Sequence, residues 1–179
     1  MAKQKREKPT SSPAVLDICW TRKRDGSITF QCTRPDGSAT WQRHDTPFFV
    51  YHDLTHYAVE TILRLRWAFY GILLSGWDIA DFGAPWPRGP IPANAAPDAA
   101  LAEGVAGVLD VERGCRVRLS AEEFNVTLAE EFARGGIPQP CLVTEEQLTE
   151  IRGEIAHLTA NWLEVPMDGS MRLRFVQPD

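Results

Sequence analysis

The stretch from Phe48 to Trp77, FFVYHDLTHYAVETILRLRWAFYGILLSGW, most constrains what this chain can fold into. It contains no proline, and apolar residues recur on almost every side of a helical projection. A helix of that kind belongs inside a protein rather than on its surface. The spacing predicts one central buried helix, starting near Tyr51–Asp53 and ending at Ser75–Gly76. His52, His56 and Glu60 recur along it one turn apart, in a sector about 80° wide. Leu63, Trp67, Tyr70 and Leu74 continue that stripe, and Leu54, Ala58, Ile62, Leu65, Phe69 and Ile72 form the opposite one. A narrow strip of Asp53, Tyr57, Arg64 and Ser75 is expected to reach water. The run is not a membrane span. Trp67 to Trp77 is 11 residues, against about 20 for a bilayer, and Glu60, Arg64 and Arg66 interrupt anything longer.

Other elements follow around this helix. The chain has 179 residues, enough for one domain with a sizeable core. Residues 1–13 read as a disordered basic tail and 14–179 as a single α+β domain. From Val15 to Arg43 two runs alternate with period 2, Leu16-Ile18-Trp20 and Ile28-Phe30-Cys32. Two similar turns, Lys23–Ser27 and Arg34–Ser38, each carry Asp-Gly-Ser and suit a type I turn closed by a glycine of positive φ. This predicts a three-stranded antiparallel meander. With equal loops, Trp20 faces Phe30 and Ile18 faces Cys32, but Trp41 then falls opposite Gln31 on the other face. Either the second turn differs or both faces of the sheet are covered.

Further along, Asp78 to Pro97 is a long proline-rich loop. Asp98 to Leu109 reads as a helix, and Arg116 to Leu119 as a possible short strand. Ser120 with Glu123, and Thr144 with Gln147, are capping boxes. The helices they start are expected to reach Arg134 and Leu163. Met171 to Val176 alternates like a last strand pairing with the meander. The expected fold class is α+β, a meander of three N-terminal strands plus a C-terminal strand with about four helices, one central and buried.

Charge narrows the partners. The net charge is −5, which argues against general nucleic-acid binding. Residues 1–50 hold nine Lys/Arg and five Asp/Glu, giving +4, and the remainder holds ten and nineteen, giving −9. No apolar segment follows the basic tail, so a cytoplasmic protein is expected. Cys19, Cys32, Cys115 and Cys141 are widely spaced without CxxC, which predicts free thiols. No GxSxG, GxGxxG or Walker loop occurs.

The polar stripe is where chemistry could reside. Two histidines at i and i+4 can grip one divalent metal, such as zinc, from consecutive turns. Glu60 is a candidate third ligand, or a group fixing the His56 tautomer. Asp78 and Asp81 are candidate further ligands, with His44 next, and Glu60 or Asp78 could take a proton from bound water. The His52-Asp53 pair resembles the metal-binding dipeptide of HD-domain phosphohydrolases. That resemblance spans two residues, and the family also needs an earlier histidine and a later aspartate on other helices of an all-helical fold. A β-meander precedes the pair here and only His44 lies upstream, so nothing of that family is carried over. Glu154 and His157 have ExxH spacing but point away from the apolar stripe of their helix. Two functions remain: a non-catalytic interaction or accessory protein, preferred because no complete catalytic set is visible, and as the alternative a metal-dependent hydrolase-like enzyme. The first would meet a protein partner through loop 78–97, where Trp77, Phe82, Trp86 and Arg88 could form a contact patch or lid.

Overall fold

A computed structural model describes residues 14–82, 89–136 and 141–179. The expected tail at 1–13 and the patch residues Trp86 and Arg88 lie outside them. The strands are β1 (Val15–Arg22), β2 (Ile28–Thr33), β3 (Ala39–His44) and β4 (Ser170–Val176). They form one antiparallel sheet in the order β3-β2-β1-β4, as the meander and returning strand predicted. Trp20 faces Phe30 and Ile18 faces Cys32 across the first hairpin. Both turns close alike, with Gly26 and Gly37 at φ of 83° and 85°. The Asp25 and Asp36 carboxylates each accept from the amide and hydroxyl of the serine two residues on. The register question is thereby answered: Trp41 does oppose Gln31, and it lies in solvent, 66% exposed.

The expected central helix is two helices. α1 runs Phe48–Ile62 and α2 runs Phe69–Leu74. Arg64 turns the chain with a φ of 55°, and the Leu65 amide reaches back to the Glu60 carbonyl. Side chains hold the break open. The buried Glu60 carboxylate accepts the Tyr70 amide at 3.0 Å, and Asp98 accepts the Trp67 amide at 2.9 Å. Each caps an N–H that a continuous helix would have bonded internally. Gly71 belongs to the same joint, because a Cβ there would overlap the Arg66 carbonyl.

α1 is central in the sense expected. Val50 and Leu54 pack with Leu16, Trp20, Phe30 and Phe175 of the sheet, together with Tyr70, Leu158 and Trp162. Ala58 and Val59 pack into a second core with Leu101 and Val105, Phe124 and Leu128, and Ile151. These come from α3 (Ala96–Cys115), α4 (Ala121–Arg134) and α5 (Glu145–Leu163). Both capping boxes are formed as read from the sequence. α3 is longer than expected, and no strand forms at Arg116–Leu119. The reason is Glu112, buried at its last turn, which pairs with Arg152 and accepts the Leu119 amide at 2.9 Å. The proposed water-reaching strip is also corrected, since Asp53 is buried while Arg64 and Ser75 are exposed. Five α-helices, a short 3₁₀ turn at Ile79–Phe82 and the four-stranded sheet make the described fold α+β. Among the described residues no helix is long and apolar enough to cross a membrane. Cys19, Cys32 and Cys115 are free thiols, Cys32 buried and Cys115 exposed, and Cys141 is also exposed.

Two glycine substitutions separate the joint from an ordinary helix position. Gly71→Ala is expected to cost roughly 2–3 kcal/mol or more, because the clash is with backbone. Gly153→Ala, in α5 with open space around it, is expected to stabilise by roughly 0.5–1 kcal/mol. Urea unfolding midpoints of the two variants should move in opposite directions.

Candidate functional site

His52 and His56 lie on successive turns of α1, facing α3. Their rings meet edge to face with centroids 4.7 Å apart. Glu103 of α3 joins them, so that one ligand atom from each of the three residues lies within 4.8 Å of the others. His52 Nδ1 bonds Asp110 Oδ2 at 3.0 Å, and Arg113 donates to the other Asp110 oxygen at 2.8 Å. His56 Nδ1 bonds Glu60 Oε1 at 3.3 Å, and its Nε2 lies 3.6 Å from Glu103 Oε2. Each Nδ1 is therefore oriented by its own carboxylate. Nε2 is the nitrogen left on each ring to meet a ligand, and carboxylate–imidazole pairs of this kind fix the tautomer of metal-binding histidines.

The electrostatics match that arrangement. Burial alone would depress the His56 pKa, but the Glu103 and Glu60 carboxylates outweigh it and push it up to about 10. Burial raises Glu60, against the pull of His56 and the α2 amides. Burial likewise works on Glu103, where the His56 imidazolium prevails and holds the carboxyl below its ordinary value. A positive charge is thus favoured between two carboxylates, in a place where a divalent cation could replace a proton. The cluster opens outward on one side. The His56 side chain is 4% exposed, His52 is 30% and Glu103 is 65% exposed.

The remaining sequence candidates lie elsewhere. Glu60 touches His56, but its two oxygens are engaged by His56 and the Tyr70 amide, so it orients a ring and caps a helix. Asp78 pairs with Arg34 at 2.9 Å, and Asp81 accepts the Asp78 amide at 2.9 Å. Neither belongs to the histidine cluster. His44 stacks on Phe49 and approaches Asp53 rather than His52 or His56. His157 is exposed on α5, beside Asn161. Sequence reasoning missed Glu103 and Asp110. Their seven-residue separation, two turns along one face of α3, was the available signal. Comparisons with protein-family models, with curated proteins and with solved structures each found no match.

Asp53 borders this region and carries a testable cost. Burial raises its pKa from 3.8 to about 7, against the Trp20 Nε1 hydrogen bond and the neighbouring histidines. A group raised in the folded state gives its full stabilisation below its unfolded pKa and loses it as pH climbs through the folded value. Well above pH 7 the ionised carboxylate costs on the order of 4 kcal/mol. Asp53→Asn keeps an oxygen for Trp20 and removes the ionisation. Its thermal midpoint should exceed that of the wild type at pH 8.5, and the excess should fall to less than half at pH 5. Equal differences at the two pH values would sink this assignment.

Proposed function

We propose that the protein is a metal-dependent enzyme of the hydrolase type, with His52, His56 and Glu103 holding one divalent ion of the zinc class. The observation that carries this reading is the pairing of each imidazole Nδ1 with a separate carboxylate, Asp110 and Glu60, beside a third carboxylate facing His56 Nε2. Two imidazoles and one carboxylate are a borderline donor set, suited to zinc and other late first-row ions. Three protein ligands leave a fourth position for water or substrate, and the exposure of Glu103 supports placing it toward solvent. An ion so held lowers the pKa of bound water and polarises an ester or phosphoryl oxygen. His52 and His56 are presented from one rigid helix, and Glu103 from another packed beside it in the second core.

A second reading, the non-catalytic accessory protein, has its own support. Phe48 and Phe49, on the first turn of α1, and Trp41 on the outer face of the sheet are exposed aromatic residues. Such residues are enriched where proteins meet partners.

Elemental analysis and zinc or cobalt titration of protein purified without chelator distinguish the readings. One equivalent of metal is expected, abolished by His52→Ala, His56→Ala and Glu103→Ala. Asp110→Asn should weaken binding by about 10–100-fold. Metal-dependent hydrolysis of bis(p-nitrophenyl) phosphate or p-nitrophenyl acetate should vanish in the same variants. Stoichiometric metal without turnover favours the accessory protein, and absence of saturable metal binding removes the enzyme reading altogether.

A further inference from the structure

A second polar constellation lies about 100° round α1 from His52, at Asp53. It faces the sheet's edge strand, and that strand inverts the usual alternation. The inward positions of β3 are Thr40, Gln42 and His44, opposite Cys32, Phe30 and Ile28, while Trp41 points outward. Thr40 Oγ1 accepts the Ile79 amide at 2.9 Å. Gln42 and His44 instead border a cavity of about 430 Å³, together with Asp53, Phe30, Phe69 and Phe82. This size falls within the range of small-molecule sites.

The walls are aromatic. Phe30 and Phe69 stack with centroids 6.2 Å apart, and Phe69 packs on Phe82 at 5.1 Å. His44 stacks on Phe49 at 4.7 Å and 16°. Inside these walls two polar groups converge. His44 is 4% exposed, and its Nε2 has no hydrogen-bond partner among the described residues. Asp53 Oδ2 accepts from Trp20 Nε1 at 3.3 Å and lies 3.8 Å from His44 Nε2, too far for the two to bond directly. A hydroxyl oxygen inserted between them, with a small shift of either side chain because Nε2 is itself buried, would bond both, donating to one group and accepting from the other.

We propose that this cavity binds a flat aromatic alcohol of one or two rings, with its hydroxyl between His44 and Asp53. The phenylalanine rings supply the stacking surfaces, and the buried imidazole and carboxyl distinguish an alcohol from a plain hydrocarbon. A site built to hydrogen-bond a hydroxyl discriminates strongly against the analogue lacking it, because its own polar groups are then left unpaired. No residue lining this cavity is a ligand in the candidate metal site, so the two ideas stand or fall separately.

The test is calorimetric and ligand-observed NMR titration of 2-naphthol and naphthalene against the full chain, in EDTA to exclude any metal contribution. The expected result is saturable 1:1 binding of 2-naphthol, at least about tenfold tighter than naphthalene. His44→Phe keeps a ring on Phe49 and removes the nitrogen. It should bring the two affinities to within about twofold of each other, with the thermal midpoint reporting that the fold survives. Ala80→Trp, at an exposed position on the cavity wall, should abolish binding of both. Failure of the wild type to bind 2-naphthol, equal wild-type affinities for the two probes, or undiminished binding to Ala80→Trp would each overturn the proposal.

Discussion

A single carboxylate, that of Glu60, links the parts of this molecule. It is fully buried, between the His56 ring on one side and the Tyr70 amide on the other. An ionised carboxyl in such a place is tolerated only when its oxygens are satisfied. The first contact fixes an imidazole, and the second ends one helix and starts the next. Removing it would strand a histidine and a backbone N–H in the interior at once, so the candidate site and the chain path depend on the same side chain.

The break at Glu60 also explains why α1 can serve two cores. A continuous helix of thirty residues would carry its second half away from the sheet along a straight line. Turning at Arg64 folds α2 back, so that Tyr70 and Leu73 join the sheet-side core while Leu65 and Ala68 join the helical one. Tyr70 then donates its hydroxyl to the Asp53 carbonyl at 2.8 Å, tying the second helix to the middle of the first. Polar residues on neighbouring faces of α1 consequently meet different partners. His52 and His56 meet the acidic face of α3, and Asp53 meets Trp20 and the inward histidine of β3.

What could be read from the sequence was local. The first Asp-Gly-Ser turn set the register of its hairpin, the second left two readings open, and Ser120 and Thr144 marked helix starts, because each of those signals and its partner lie within four residues. The packing stripes of α4 and α5 followed from their period. The interruption after Ile62 was not legible, because its causes are distant: Glu60 acts ten residues ahead, and Asp98 caps Trp67 from another helix. The same holds for the site. His52 and His56 were visible as a local pair, whereas Glu103 and Asp110 acquire meaning only when α3 packs alongside. Glu112 lengthened α3 through a partner forty residues away, Arg152, which no local pattern announces.

The sheet order has a bearing on how the chain matures. β1, near the start of the fold, is paired with β2 on one flank and with the last strand, β4, on the other. Until residues beyond 170 leave the ribosome, the Val15–Thr21 side of the sheet presents bare amides and carbonyls, and Met171 and Phe175 are missing from the layer beneath. Such an unpaired edge is a template for wrong strands. The helices between have sequence-local contacts and can condense first. Before residues 170–176 pair, the β1 flank is therefore open to wrong strands, and β4 moves the sheet's edge outward from the core strand to its own backbone.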